Sequence, residues 1–332
     1  MSAPAEVLAR VEGFERNKLS YMTGHKNETE MRVEYIDPLF ECLGWDVHNK
    51  ASYADAYKSV VHEDAIKVGG ATKAPDYCFR VGGTRKFFLE AKKPSVSIRN
   101  DPHPAFQLRR YAWSTKLPLS ILTNFEEFAV YDCRVKPDKN DKASTARILY
   151  LTYEQYLDRW DEIASVFSLE AVLKGSFDKY AEEVTGKRGT SEVDSVFLRE
   201  IETWREELAR NLALRNPELT QRELNYAVQV TIDRIVFLRI AEDRAIEEYG
   251  RLQAQASSPG VYECLCDLFR AADERYNSGL FHFATEHDQL EPPDQLTLTL
   301  RIDDKPLKRI IKNLYYPDSP YEFSVLPADI LG

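Results

Sequence analysis

The chain has 332 residues, 43% of them hydrophobic and 30% charged, a balance that fits a folded protein of about two domains and excludes a disordered one. It holds no run of roughly eighteen apolar residues, and its opening MSAPAEVLARVEGFERN has no basic segment leading into an apolar core, so neither a membrane span nor a secretory signal is expected. The net charge of −10 conceals a contrast: Lys58 to Lys116 carries a net +7 and the remainder −17, so a polyanion-binding face and an ordinary solvated surface are both open for that basic stretch.

In chain order, residues 27–43 (NETEMRVEYIDPLFECL) place Met31, Tyr35, Leu39 and Leu43 on one face, the spacing of a helix that Gly44 ends and Pro38 kinks. Pro75–Val81 and Arg85–Ala91 then read as two strands joined at Gly82-Gly83-Thr84, a hairpin. Residues 104–115 predict a helix with proline near its start. Leu119–Thr123, Phe128–Cys133 and Arg147–Leu151 predict strands, with a polar loop at 138–144 before the last. That order gives an α/β domain with a mixed sheet flanked by helices over residues 1–165. The remainder, 166–332, reads as all-α. Long helices are expected over 191–215 and 218–249, broken at Asn216-Pro217, and a shorter one over Gly260 to Tyr276, followed by a connection at 282–297. The chain closes on SVLPADILG with no terminal helix, which suggests a piece of a larger protein ending between domains.

The five cysteines are scattered and odd in number, as in a reducing cytoplasm, and Cys264 and Cys266 read as helix core rather than half of a zinc site. The histidines show no H-E-x-x-H pair, and no phosphate loop or G-x-S-x-G elbow is present.

Chemistry concentrates at the hairpin. If its turn centres on Gly83, residues i and 166 − i face one another, so Asp76 stands opposite Glu90 on one face, and strand alternation brings Lys92 to the same face. Two adjacent carboxylates repel unless a cation neutralises them, and Mg²⁺ binds through one or two carboxylates while accepting phosphate oxygens. Such an ion activates water for phosphodiester hydrolysis, and an amine beside it steadies charge building on the phosphate. The bland alternative is a cross-strand ion pair on a solvated face, but Phe87, Phe88 and Leu89 before Glu90 mark an interior strand, where charge is costly without a partner or a task. Gln107 and Tyr111, four apart, project from one side of the following helix, and Arg109 and Arg110 beside them are candidate contacts to a DNA backbone. Upstream, Glu28 stands four residues before Arg32, and Glu28, Glu30 and Glu34 compete as a third carboxylate.

The PD-x(13)-EAK pattern resembles the motif of the PD-(D/E)xK nuclease superfamily, and Q-x-x-x-Y resembles its RecB-like branch. NETEMRVEYIDPLFECLGWDV, QLRRYAWS and ILTNFEEFAVYD are similar to the N-terminal nuclease of single-chain type IIG restriction–modification enzymes, and RIVFLRIAEDRAIEEYG and PYEFSVLPADILG to the helical connector that leads to their methyltransferase. The resemblance implies a Mg²⁺-dependent DNA endonuclease, with Mn²⁺ as a possible substitute, in which Asp76, Glu90 and Glu28 hold metal, Lys92 handles the water, and Gln107 and Tyr111 position the phosphate backbone or support Lys92. It implies double-stranded DNA as partner, dimerisation for double-strand cleavage, and S-adenosylmethionine only in a methyltransferase part. The Asn-Pro-Pro-Tyr loop of that part and a target-recognition domain are absent from these residues. The alternatives are a catalytically silent docking module and the nuclease of a type I-like motor subunit.

Overall fold

In the computed structural model, the described residues are 2–22, 27–62, 67–68, 71–72, 75–185, 192–276, 278–283 and 293–326. Part of the expected connection (284–292) and the closing 327–332 lie outside them. The chain forms two compact units. One takes residues up to Val193, apart from 66–71, together with those from Val325. The other takes 194–324 with 66–71.

The first unit is built on a six-stranded mixed sheet whose strands lie side by side in chain order: β1 Val60–His62, β2 Tyr77–Val81, β3 Thr84–Ala91, β4 Leu119–Thr123, β5 Glu127–Asp132 and β6 Arg147–Thr152. All neighbours are antiparallel except β3 and β4. A parallel pair needs a crossover, which residues 92–118 supply. Their helix, Pro102–Ser114, is capped by the Asp101 side chain accepting from His103 N, with proline at the first helical positions.

The expected register holds where it matters. Tyr77 faces Leu89, Cys78 faces Phe88 and Phe79 faces Phe87, all summing to 166, and a bulge between Phe79 and Arg80 absorbs one residue before the turn, where Gly82 and Gly83 both take positive φ. Strand β3 is buried on both faces from Phe87 to Ala91. Phe87, Leu89 and Ala91 join the larger core with Trp45, Phe79, Phe167 and Phe177. Phe88 turns to the other side, against Leu108, Tyr111 and Ala112 of the 102–114 helix. Phe79 and Phe87 stack with centroids 4.5 Å apart.

Five elements of this unit were not expected. Ala5–Met22 is a helix that buries Val7, Phe14 and Tyr21, one residue in seven. Val60–His62 adds the edge strand β1. Helices Trp160–Phe167, Leu169–Leu173 and Ser176–Thr185 place Trp160, Ile163, Phe167, Val172 and Phe177 in the core of this unit, which therefore continues to Val193 whereas the sequence placed the boundary at 165.

The 28–42 helix is not uniform. It runs as α-helix over Glu28–Met31, as a π turn over Arg32–Ile36 and as α-helix again over Asp37–Cys42. Pro38 has no N–H to give, and the widened turn before it, closed by Asp37 N–H donating to Arg32 O, is where the expected kink is spread.

The second unit is helical. Val193–Arg215 and Gln221–Asp243 are its long helices, the latter opened by a Thr220/Glu223 capping box; Arg251–Gln255, Val261–Tyr276 and Asp304–Asn313 follow. Gln221–Asp243 stops short of the expected residue 249 because the chain turns at Ala245, which has φ of 57°. The Asn216 side chain closes the preceding break, donating to Leu212 O and Arg301 O and accepting from Arg301 N. Trp204 and Leu238 are buried and Phe237 packs on Tyr276 and Phe281, as helix core. Arg234 and Arg239 are buried with Asp294 and Asp243. Among the described residues, no helix is long and apolar enough to cross a membrane.

Candidate active site

The carboxyl ends of the parallel pair β3 and β4 lie where the 28–42 helix on one side of the sheet and the 102–114 helix on the other both approach, the place where open α/β sheets bind ligands. Glu90 is the last but one residue of β3, on the same face as Phe88, and is 3% exposed. Asp76 stands just before β2, next to the Tyr77–Leu89 pair that ends the register. Its Oδ2 accepts from Ala91 N at 2.7 Å, so the strand that carries Glu90 also holds Asp76. Lys92 follows, its backbone N bonded to Thr123 O at 2.9 Å and its Nζ 2.5 Å from Glu90 Oε1. Glu90 Oε2 is buried with no hydrogen-bond partner.

Electrostatics binds the group together. Burial, then the charge of Asp76, pushes the Glu90 carboxyl up from 4.5 to about 7 against the pull of Lys92. Burial opposes charge on Lys92, but Glu90, Glu28 and Asp76 outweigh it and raise its pKa. Glu28 is raised too, by burial first, with Lys92 pulling it down and Asp76 pushing it up, so it stands within reach of both.

The three competing glutamates separate on their partners. Glu30 closes a capping box with Asn27, accepting from Asn27 N at 2.9 Å. Glu34 accepts from Tyr21 Oη at 2.9 Å. Glu28 feels the charges of Lys92 and Asp76. As they stand, no three His, Cys, Asp or Glu side chains among the described residues close round one point. A Mg²⁺ ion asks for less, since it takes one or two carboxylates and fills its shell with water and phosphate oxygens. An all-oxygen donor set with one buried carboxylate oxygen lacking a partner fits such an ion.

Sequence reasoning missed the residues behind Asp76. Arg32 Nη1 donates to Asp76 Oδ1 at 3.1 Å, its Nε to Tyr77 Oη at 3.1 Å, and its Nη2 lies 3.3 Å from His62 Nδ1. Tyr77 Oη donates in turn to the buried Asp37 at 2.5 Å. The i, i+4 spacing of Glu28 and Arg32 was the available signal, and only the fold shows what Arg32 meets.

Residues 56–139, which span Asp76, Glu90, Lys92, Gln107 and Tyr111, match the family described as the type I restriction enzyme R protein N terminus. Over 314 residues, 94% of its length, the chain is 40% identical to the type II restriction enzyme and methyltransferase RM.Eco57I of Escherichia coli. The chain is thus similar over nearly all of its length to one part of a type II restriction enzyme and methyltransferase. It spans 30% of the length of that relative. It also aligns with the crystal structure of the type IIG restriction endonuclease BpuSI over 90% of this chain and 31% of that one, at 16% identity and a TM-score of 0.27.

The remaining expected residues divide. Tyr111 is buried in the core between the 102–114 helix and the sheet, beside Phe88 on the face that carries Glu90, and Gln107 is half-buried one turn earlier. Arg109 and Arg110 are corrected. Arg109 is 1% exposed, its guanidinium 2.7 Å from Asp141 and bonded to the carbonyls of Val135 and Lys136, where it fastens the 135–141 loop. Arg110 is 6% exposed and lies over the Phe106 ring. Both guanidinium groups are thus taken up inside the protein. Lys93 and Arg99, on the loop between β3 and the helix, are exposed. That loop is pinned by Glu127 accepting from Ile98 N and Arg99 N and by Asn124 donating to Val96 O.

Proposed function

We propose that this chain carries the DNA-cleaving centre of a type II, type IIG-like restriction–modification enzyme, hydrolysing phosphodiester bonds with a divalent metal. One observation carries the reading: Asp76, Glu90 and Lys92 converge at the end of β3 with Glu28 in their field, leaving a buried Glu90 oxygen with no partner. Asp76 and Glu90 would hold Mg²⁺, or Mn²⁺ in its place, with Glu28 completing the carboxylate set. When bound, the ion supplies activation of water and neutralisation of charge at the phosphate. Lys92 Nζ is paired with Glu90 Oε1. Released from that carboxylate, its N–H groups would orient the attacking water and offset negative charge on a non-bridging phosphate oxygen. Gln107 and Tyr111 support the same face. Lys93 and Arg99 offer charge to the backbone of double-stranded DNA.

In this reading the methyltransferase, its S-adenosylmethionine and target recognition belong to parts of the protein outside these 332 residues, cleavage of both strands calls for two copies, and the enzyme works in the cytoplasm. The match of residues 56–139 to the type I R protein N terminus supports a second reading, the nuclease of a type I-like motor subunit. Similarity along 94% of the chain to a type II restriction enzyme and methyltransferase favours the first. The test is calorimetric titration with Mn²⁺ of the unmodified chain, Asp76→Ala and Lys92→Ala. Binding that is lost with Asp76→Ala and kept with Lys92→Ala is expected. No binding by the unmodified chain, alone or with a short duplex, overturns the reading.

A further inference from the structure

We propose that Arg32 is a positioning residue for the metal centre, the group that fixes which way the Asp76 carboxylate points. This rests on the metal-dependent reading above. The Asp76 side chain is held at both oxygens, Oδ2 by the Ala91 N–H at 2.7 Å and Oδ1 by Arg32 Nη1 at 3.1 Å. The first grip ties Asp76 to the strand of Glu90, and the second ties it to the helix of Glu28. A carboxylate oxygen can accept more than one partner, so an oxygen that takes one N–H is not thereby closed to a small hard cation.

The guanidinium is itself fixed. Its Nε donates to Tyr77 Oη at 3.1 Å, its plane lies over the Tyr77 ring with 4.7 Å to the centroid, and Nη2 meets His62 Nδ1 at 3.3 Å. Tyr77 is 1% exposed and its hydroxyl donates to Asp37 at 2.5 Å. Asp37 lies on the same helix, just past the π turn that opens at Arg32. The widened turn and Asp37 thus brace the tyrosine that aims the arginine that aims the aspartate. A lysine in this place would keep the charge and lose the fork, because an ammonium has no planar pair of donors to divide between Asp76 and Tyr77. Partners that hold a ligating carboxylate typically cost about 10- to 100-fold in metal affinity when removed.

The test is Mn²⁺ affinity by calorimetry, with a thermal melt of each protein, for the unmodified chain, Arg32→Gln and Arg32→Lys. The proposal expects both variants to bind Mn²⁺ at least about tenfold more weakly while folded. A role confined to holding the fold lowers the melting temperature and leaves affinity unchanged. A role confined to charge leaves Arg32→Lys unchanged and tightens binding in Arg32→Gln, since a cation has been removed from the site. Either result overturns the proposal and leaves the metal reading standing. No binding by the unmodified chain overturns both. If Arg32→Gln does not fold, Arg32→Lys and Tyr77→Phe, which removes only the hydroxyl that aims the fork, decide on the same criterion.

Discussion

Glu90→Gln should make the protein more stable in alkali, and by an amount that follows from where Glu90 sits. The carboxyl is 3% exposed beside Asp76, and its pKa is pushed from 4.5 to about 7 with the attraction of Lys92 already included. A carboxyl whose folded pKa lies above its unfolded one contributes stability that is fully present below the unfolded value and is lost as pH rises through the folded value. The loss accumulates between about pH 4.5 and pH 7 and amounts to roughly 3 kcal/mol. Glutamine has the shape of the protonated acid and does not titrate. Urea unfolding followed by circular dichroism from about pH 4 to pH 8.5 should therefore find the two proteins equal at the acid end and Glu90→Gln ahead by roughly 3 kcal/mol at the alkaline end. Saturating Mn²⁺ should then close the gap, because ligand at about a hundred times its dissociation constant stabilises by about 2.7 kcal/mol and the variant has lost a ligand. A difference that does not change with pH, or a variant less stable at alkaline pH, would refute the reasoning.

The other predictions follow from the same contacts. Lys92→Met should keep Mn²⁺ affinity within a few-fold and lower the cleavage rate of the full-length enzyme by about 100-fold or more, read in single-turnover assays. Arg109→Ala should destabilise by about 3 kcal/mol or more, because it strands Asp141 and two carbonyls, without changing how DNA affinity falls with salt; a shallower salt slope at full stability would return Arg109 to the interface. Lys93→Gln with Arg99→Gln should do the reverse, leaving the melting temperature in place and reducing the slope by about 2. Phe87→Ala should cost about 3–5 kcal/mol in urea, since its ring packs against Trp45, Phe79, Phe167 and Phe177.

The hairpin shows what a sequence carries well. Its turn glycines, its alternation and the spacing of Asp76 and Glu90 are local, so the register at the site could be read directly, and the bulge at Phe79/Arg80 left that end undisturbed. Arg109 shows the opposite. Beside Arg110 on a helix it looks like a surface cation, and the partner that buries it, Asp141, lies thirty-two residues downstream in a polar loop. Arg32 fails for the same reason, since its spacing from Glu28 was visible but its contacts with Asp76, Tyr77 and His62 are made only when helix and sheet come together. Among its described side chains the first helix buries Val7, Phe14 and Tyr21, a stripe too sparse to stand out from its polar surroundings. The helices over 160–185 lie beyond the last strand, where local pattern does not say which core will claim them.

The most direct measurement is anomalous diffraction from crystals of the chain soaked in Mn²⁺. The account predicts a peak within bonding distance of the Asp76 and Glu90 carboxylates, with Lys92 Nζ drawn off Glu90 Oε1. A peak elsewhere, or none at a concentration that saturates binding in solution, would contradict it.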